Sequence, residues 1–198
     1  MSTAEGHADR LAGNELALQA AATAATAWQD GGINEGKFPA EEVEEAFWEY
    51  VRRANANDWD AWVDLFTEDV LYIDHAWGVR RGREEVRNWM VPLMAQMPEM
   101  KFPVGFHVIK GDVIVNYNWN RWPNPDASFE PYDEVPVSRY RLDSWKYQFP
   151  CITIDRYAGN GLFSHEENFY STPAFVGVLQ GWEHEWLAAG HQLEKDVT

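Results

Sequence analysis

Cysteine is nearly absent from this chain. Of 198 residues only Cys151 carries a thiol, so no intramolecular disulfide can form and the chain suits a reducing compartment. Basic residues are also scarce: 16 Lys and Arg stand against 32 Asp and Glu, a formal net charge of -16. A field of that sign opposes nucleic acid and anionic membranes, so neither is an expected partner. No apolar run approaches the roughly 20 residues that span a bilayer, and the opening MSTAEGHADR lacks the basic segment and apolar core of a secretory signal. A soluble, cytoplasmic protein is expected. HExxH, paired cysteines, a phosphate-cradling P-loop and GxSxG are missing too. No metal and no other cofactor is therefore expected, and nucleotide-dependent and serine-hydrolase chemistry drop out.

Aromatic residues, in contrast, are abundant: 11 Trp, 10 Phe and 8 Tyr. Rings bring large apolar area with defined faces and edges, which suits a stiff core or a pocket for a flat ligand. The length fits one domain with appendages. Residues 1–38 read as an N-terminal extension with an Ala-rich helix, Asn14 to Trp28, stopped by Asp30-Gly-Gly. Residues 39–171 read as the domain proper and 172–198 as a C-terminal helix and tail, with Thr172-Pro173 as the helix start.

The most informative stretch runs from Glu41 to His75. Val43, Phe47, Tyr50, Val51 and Ala54 recur at helical steps and make one face apolar. Asp58 can cap a second short helix bearing Trp59, Trp62, Val63 and Phe66, and Val70 to Asp74 then alternates as a strand. A helix over Arg83 to Met97 follows, with Trp89 on its apolar face and Pro92 inside it. Residues 101–110 and 113–122 read as a hairpin about Lys110-Gly-Asp. In it Tyr117, Trp119 and Arg121 are expected to face inward, with Asn116, Asn118 and Asn120 on the solvent or dimer side. Residues 122–138 hold four prolines and read as a long loop. Strands at about 140–157 and 162–170 complete the sheet, with Glu166, Asn168 and Tyr170 alternating on one face.

From Tyr50-Val-Arg-Arg-Ala-Asn-Ala-Asn-Asp-Trp-Asp through Leu65-Phe66 to Tyr72-Ile-Asp74 the sequence resembles the nuclear transport factor 2-like superfamily, which includes ketosteroid isomerase, scytalone dehydratase and the SnoaL-like cyclases. The resemblance covers residues 41–110 and, more loosely, 148–170. It implies an α+β fold in which a cone-shaped, curved, mixed β-sheet wraps around N-terminal helices, and a homodimer or higher homo-oligomer formed through the outer sheet face. It also implies a hydrogen-bond-donating role for Tyr50, proton abstraction by Asp74, and a catalytic histidine at His107. Two departures limit the carry-over: the neutral acid of ketosteroid isomerase falls near Pro150, and the Tyr-Asp pair of scytalone dehydratase falls on Asn55 and Ala56.

On spacing alone, a strand-end Asp74 is either a turn cap or a base whose pKa is raised by apolar neighbours. His75, adjacent on the strand, points to the opposite side and is expected behind the site rather than in it. Phe47, Trp89, Tyr117, Trp119, Arg121, Glu166, Asn168 and Tyr170 are the expected substrate contacts. These residues suit a cofactor-independent lyase or isomerase acting on a hydrophobic, aromatic or polycyclic small molecule. The alternative is a non-catalytic binding or dimerisation module of the same fold. An enzyme needs Asp74 and His107 to converge on one cavity, whereas a binding module leaves one of them outside.

Overall fold

The amphipathic stretch that follows Pro39 forms α2 (Ala40–Asn55), which buries Val43, Ala46, Phe47, Tyr50 and Ala54. Its solvent face is held by Glu49, which accepts from both Arg52 and Arg53 one turn on. Asn57 takes a positive φ and ends the helix. Asp58 then accepts from the Ala61 amide and caps α3 (Trp59–Val63). The computed structural model describes residues 3–29, 32–97, 99–125 and 146–193, of which 3–14 are described as backbone alone. Beyond residue 125, the loop expected at 122–138 and the start of the strand expected at 140 fall outside the described residues.

One curved, unclosed sheet of six strands receives these helices: β1 (Phe66–Asp74), β2 (Gly78–Arg81), β3 (Val104–Lys110), β4 (Val113–Arg121), β5 (Gln148–Gly159) and β6 (Leu162–Tyr170). The order is β2-β1-β6-β5-β4-β3. β1 and β6 run parallel and the other neighbours antiparallel, so the sheet is mixed as expected. The β5–β6 turn carries positive φ at both Asn160 and Gly161, the conformation that a two-residue hairpin turn requires. Three residues, His75 to Trp77, link β1 to β2. Asp74 Oδ1 accepts from the Ala76 and Trp77 amides and closes a short hairpin that pairs Asp74 with Gly78.

α2, α3 and α4 (Arg83–Ala95) close over the concave face, with Pro92 inside α4. Tyr50, Trp62, Phe66 and Phe163 meet there ring against ring at centroid separations of 4.8–6.5 Å. α5 (Thr172–Ala188) is capped by Ser171 and packs against β5. α1 (Thr3–Ala27) lies on the opposite, convex side, against β1 and β2. Its anchor is Trp28, whose indole donates to Glu167 and stands edge-on to His165.

Candidate active site

Residues in register on neighbouring strands point to the same face, so rows of side chains cross the sheet. One row runs Asp74, Asn168, Thr153, Asn116. A second runs Tyr72, Glu166, Asp155, Ile114, and a third Tyr170, Cys151, Asn118. With the helices above them, these rows, Asp155 and Ile114 excepted, line a cavity of about 110 Å³. Its sheet wall is polar. Its opposite wall is aromatic and sulfur-rich, built from Trp59 of α3, Trp89, Met90 and Met94 of α4, and Met97 and Met100 just after α4.

The polar wall is wired through Asn168. Its amide donates to Tyr72 Oη and to Glu166 Oε1, both at 2.8 Å, and its Oδ1 accepts from Thr153 Oγ1 at 2.8 Å. Asp74 is almost fully buried, and besides the two turn amides it accepts from the Tyr170 hydroxyl, 3.1 Å from each carboxylate oxygen. Desolvation raises its pKa, and those hydrogen bonds together with nearby His75 offset part of the rise. Asp74 is thus both a turn cap and a cavity carboxylate.

Glu166, 1% exposed, is pushed up to about 7 by burial, against the pull of Asn168, Tyr72 and Tyr50. Its Oε2 has no partner at hydrogen-bond distance. The next residue, Glu167, points to the convex face, and there the donors outweigh burial. His75, His165 and Trp28 surround its carboxylate and hold it down at about 2.

Of the residues singled out from the sequence, Tyr50, Asp74, Trp89, Glu166, Asn168 and Tyr170 line this cavity. The others do not. His107 does share the concave face, in register with Asn116. There, however, it is covered by α2, bonded to Glu44 at 2.9 Å and stacked 4.5 Å from Phe47. Phe47 is accordingly core, not wall. Tyr117 and Trp119 belong to the convex face, where Tyr117 stacks on Phe106. Arg121 is buried outside the cavity and donates to Gln148 Oε1 at 2.8 Å and 3.0 Å.

The faces of β4 are therefore reversed from expectation. Asn116, Asn118 and Asn120 face the cavity, their amides linked head to tail at 3.5 Å and 3.3 Å. His75 sits behind the site, bonded to Glu167 and stacked on Phe169. Tyr72, Thr153 and the Asn row were missed. The signal for Tyr72 was present, since it lies two residues before Asp74 on the same strand face. Among the described residues, no group of three or more His, Cys, Asp and Glu is placed to hold a metal ion, and no helix is long and apolar enough to cross a membrane.

A family model for the SnoaL-like domain matches residues 47–154, more than half of the chain and most of the sheet just described. The chain belongs to the SnoaL-like family. No curated protein matches it significantly. Solved structures that share the fold of this SnoaL-like chain include TerC co-crystallised with polyporic acid, at 12% identity and TM-score 0.52, covering 70% of this chain and 98% of that one. A nuclear transport factor 2-like protein of unknown function from Burkholderia pseudomallei follows at 13% identity and TM-score 0.52, covering 69% and 96%. An LEH-like epoxide hydrolase from M. tuberculosis is 10% identical with TM-score 0.52, covering 75% and 96%. At such identities the likeness is one of fold.

Proposed function

We propose that this SnoaL-like protein is a cofactor-independent lyase or isomerase that moves a proton on a hydrophobic, aromatic small molecule. The observation that carries the reading is Asp74: a carboxylate almost withdrawn from water, held in place by Tyr170 and two backbone amides, on the wall of an apolar cavity. Such a group is a stronger base than a solvated aspartate and is already oriented. It would take a proton from a carbon beside a carbonyl, and the charge would pass to the carbonyl oxygen. Tyr50, Tyr72 and protonated Glu166 form a donor set for that oxygen. Return of the proton to a second carbon is isomerisation. Transfer of a proton from Glu166 to a departing β-hydroxyl is dehydration; if Asp74 instead takes the hydroxyl proton of a hydroxymethyl group beside the carbonyl, the carbon–carbon bond breaks, its electron pair passes to the carbonyl oxygen and formaldehyde leaves.

Size argues for one ring at the polar wall. An engineered cavity of ~150 Å³ holds benzene, and the space here is about 110 Å³. Four methionines on the opposite wall are deformable enough to repack around a larger polycycle. The amide row on β4 suits oxygen substituents along one edge of the ligand.

A second reading, a ligand-holding module without chemistry, is favoured by the position of His107, which lies outside the cavity. The enzyme reading now rests on Asp74 with Glu166 rather than on Asp74 with His107. Two readouts separate them. Aromatic and bicyclic ketones are screened for binding by quenching of the cavity tryptophans, and the bound ones are incubated in D2O. Enzyme-dependent deuterium uptake beside the carbonyl supports proton transfer, whereas binding without uptake across the panel supports the module. The convex face, with Phe106 57% exposed and Val108 56% exposed, is where the expected homodimer would form.

A further inference from the structure

Asp155 is a buried carboxyl that the proposed reaction does not use. It is 1% exposed, does not line the cavity, and neither of its oxygens has a hydrogen-bond partner. Across the β5–β6 ladder it stands directly opposite Glu166, a position that ordinarily brings Cβ atoms within ~4.5–5.5 Å. Glu166 Oε2 is unpartnered as well. Three acceptor oxygens are thus buried together, and the Tyr50 and Tyr72 hydroxyls that bear on the pair act on the Glu166 carboxyl, which leaves Asp155 without a donor. As two anions the pair would be desolvated and mutually repelled, a far greater cost than an ordinary missing hydrogen bond. A carboxylic acid proton supplies the donor that is lacking.

The groups around the pair offer Asp155 no other solution. α2 contributes Tyr50, β1 contributes Tyr72 and Asp74, and β6 contributes Asn168 beside Glu166 itself. The charge that bears on Asp155 is Glu166, and no cation among the described residues acts on it. Arg156, the next residue, points to the convex side, where it covers Trp28 and bonds to Gly32.

We propose that Asp155 and Glu166 keep at least one proton between them from acid into mildly alkaline pH, which makes Asp155 a positioning residue that lets Glu166 give up and regain a proton without creating two buried anions. Its role in turnover rests on the function proposed above; the shared proton does not. The two carboxyls form one titrating unit: burial and the facing Glu166 raise Asp155 well above the usual carboxylate range, and Glu166 is itself pushed up to about 7.

The test is a carboxyl 13C NMR titration of the full chain, labelled at Asp and Glu, from pH 5 to 9 without substrate. In the unmutated protein one carboxyl of the pair ionises near pH 7, and the other stays protonated to pH 9. Asp155→Asn abolishes the persistent acid and leaves the step near 7. Glu166→Gln makes Asp155 ionise at least tenfold more readily, a shift of one pH unit or more, and reads the same coupling should Asp155→Asn fail to fold. Full ionisation of both carboxyls by pH 8, or a persistent acid in Asp155→Asn, overturns the proposal. A positive titration with no catalysis in any assay would leave the shared proton standing and remove only the proposed reaction.

Discussion

Glu166 and Glu167 are adjacent on β6, yet their carboxyls meet opposite physics, because a strand sends successive side chains to opposite faces. Glu166 is raised to about 7, so the folded state holds a proton that the unfolded chain loses above about 4.5. Its contribution therefore makes stability fall as pH rises from about 4.5 to 7 and level off beyond. Glu166→Gln should remove that slope and stabilise the protein above pH 7 by roughly 2–3 kcal/mol. Glu167 is held at about 2, so its stabilisation is complete above about 4.5 and is lost as pH falls towards 2. Glu167→Gln should cost roughly 2–3 kcal/mol at pH 7. Urea unfolding midpoints measured from pH 3 to 9 check both signs, and parallel pH curves for the two variants would refute them. At this scale the sequence was legible wherever one residue's direction followed from another's: His75 behind Asp74, and Glu166, Asn168 and Tyr170 together. His107 failed for a reason that no local pattern reveals. It faces inward, but Glu44 and Phe47 of α2 had already taken the space.

At the level of elements, period and punctuation carried most of the fold: the apolar stripe of α2, the Asp58 cap, and the turn at Gly111. β2 escaped because four residues beginning with Gly show no alternation. β4 was paired correctly and turned the wrong way. Alternation divides a strand into two faces, but it does not say which face is inside when the buried wall is polar and the outer face aromatic. Asn118 is the middle of that wall. Asn118→Leu would strand Asn116 Nδ2 and Asn120 Oδ1, and should lower stability by about 1–3 kcal/mol in thermal or urea unfolding. An unchanged midpoint would mean that the row is not coupled. The N-terminal helix offers a second test. Trp28 gives its indole proton to Glu167 and its face to Arg156, 4.7 Å away. Trp28→Ala should free α1 and speed limited proteolysis near residues 28–38 on the order of tenfold, with the sheet domain left intact. Equal cleavage rates would show that α1 is held by other contacts.

For the whole molecule, the sheet leaves Phe106, Val108, Ile152 and Phe169 exposed on its convex side, a surface that a second copy would cover better than water does. Sedimentation at micromolar concentration should give twice the 22.8 kDa chain mass; a monomer would remove the dimer from the account. The concave side bears the central claim, that this SnoaL-like cone places a desolvated Asp74 where it can take a proton from a bound aromatic ligand. The direct measurement is the rate of ligand deuterium exchange in Asp74→Asn and His107→Ala beside the unmutated protein, with affinity followed by tryptophan quenching. Asp74→Asn should lower exchange by about two to four orders of magnitude and change affinity only a few-fold, while His107→Ala stays near the unmutated rate. Near-normal exchange in Asp74→Asn, or an equal loss in His107→Ala, would contradict the account.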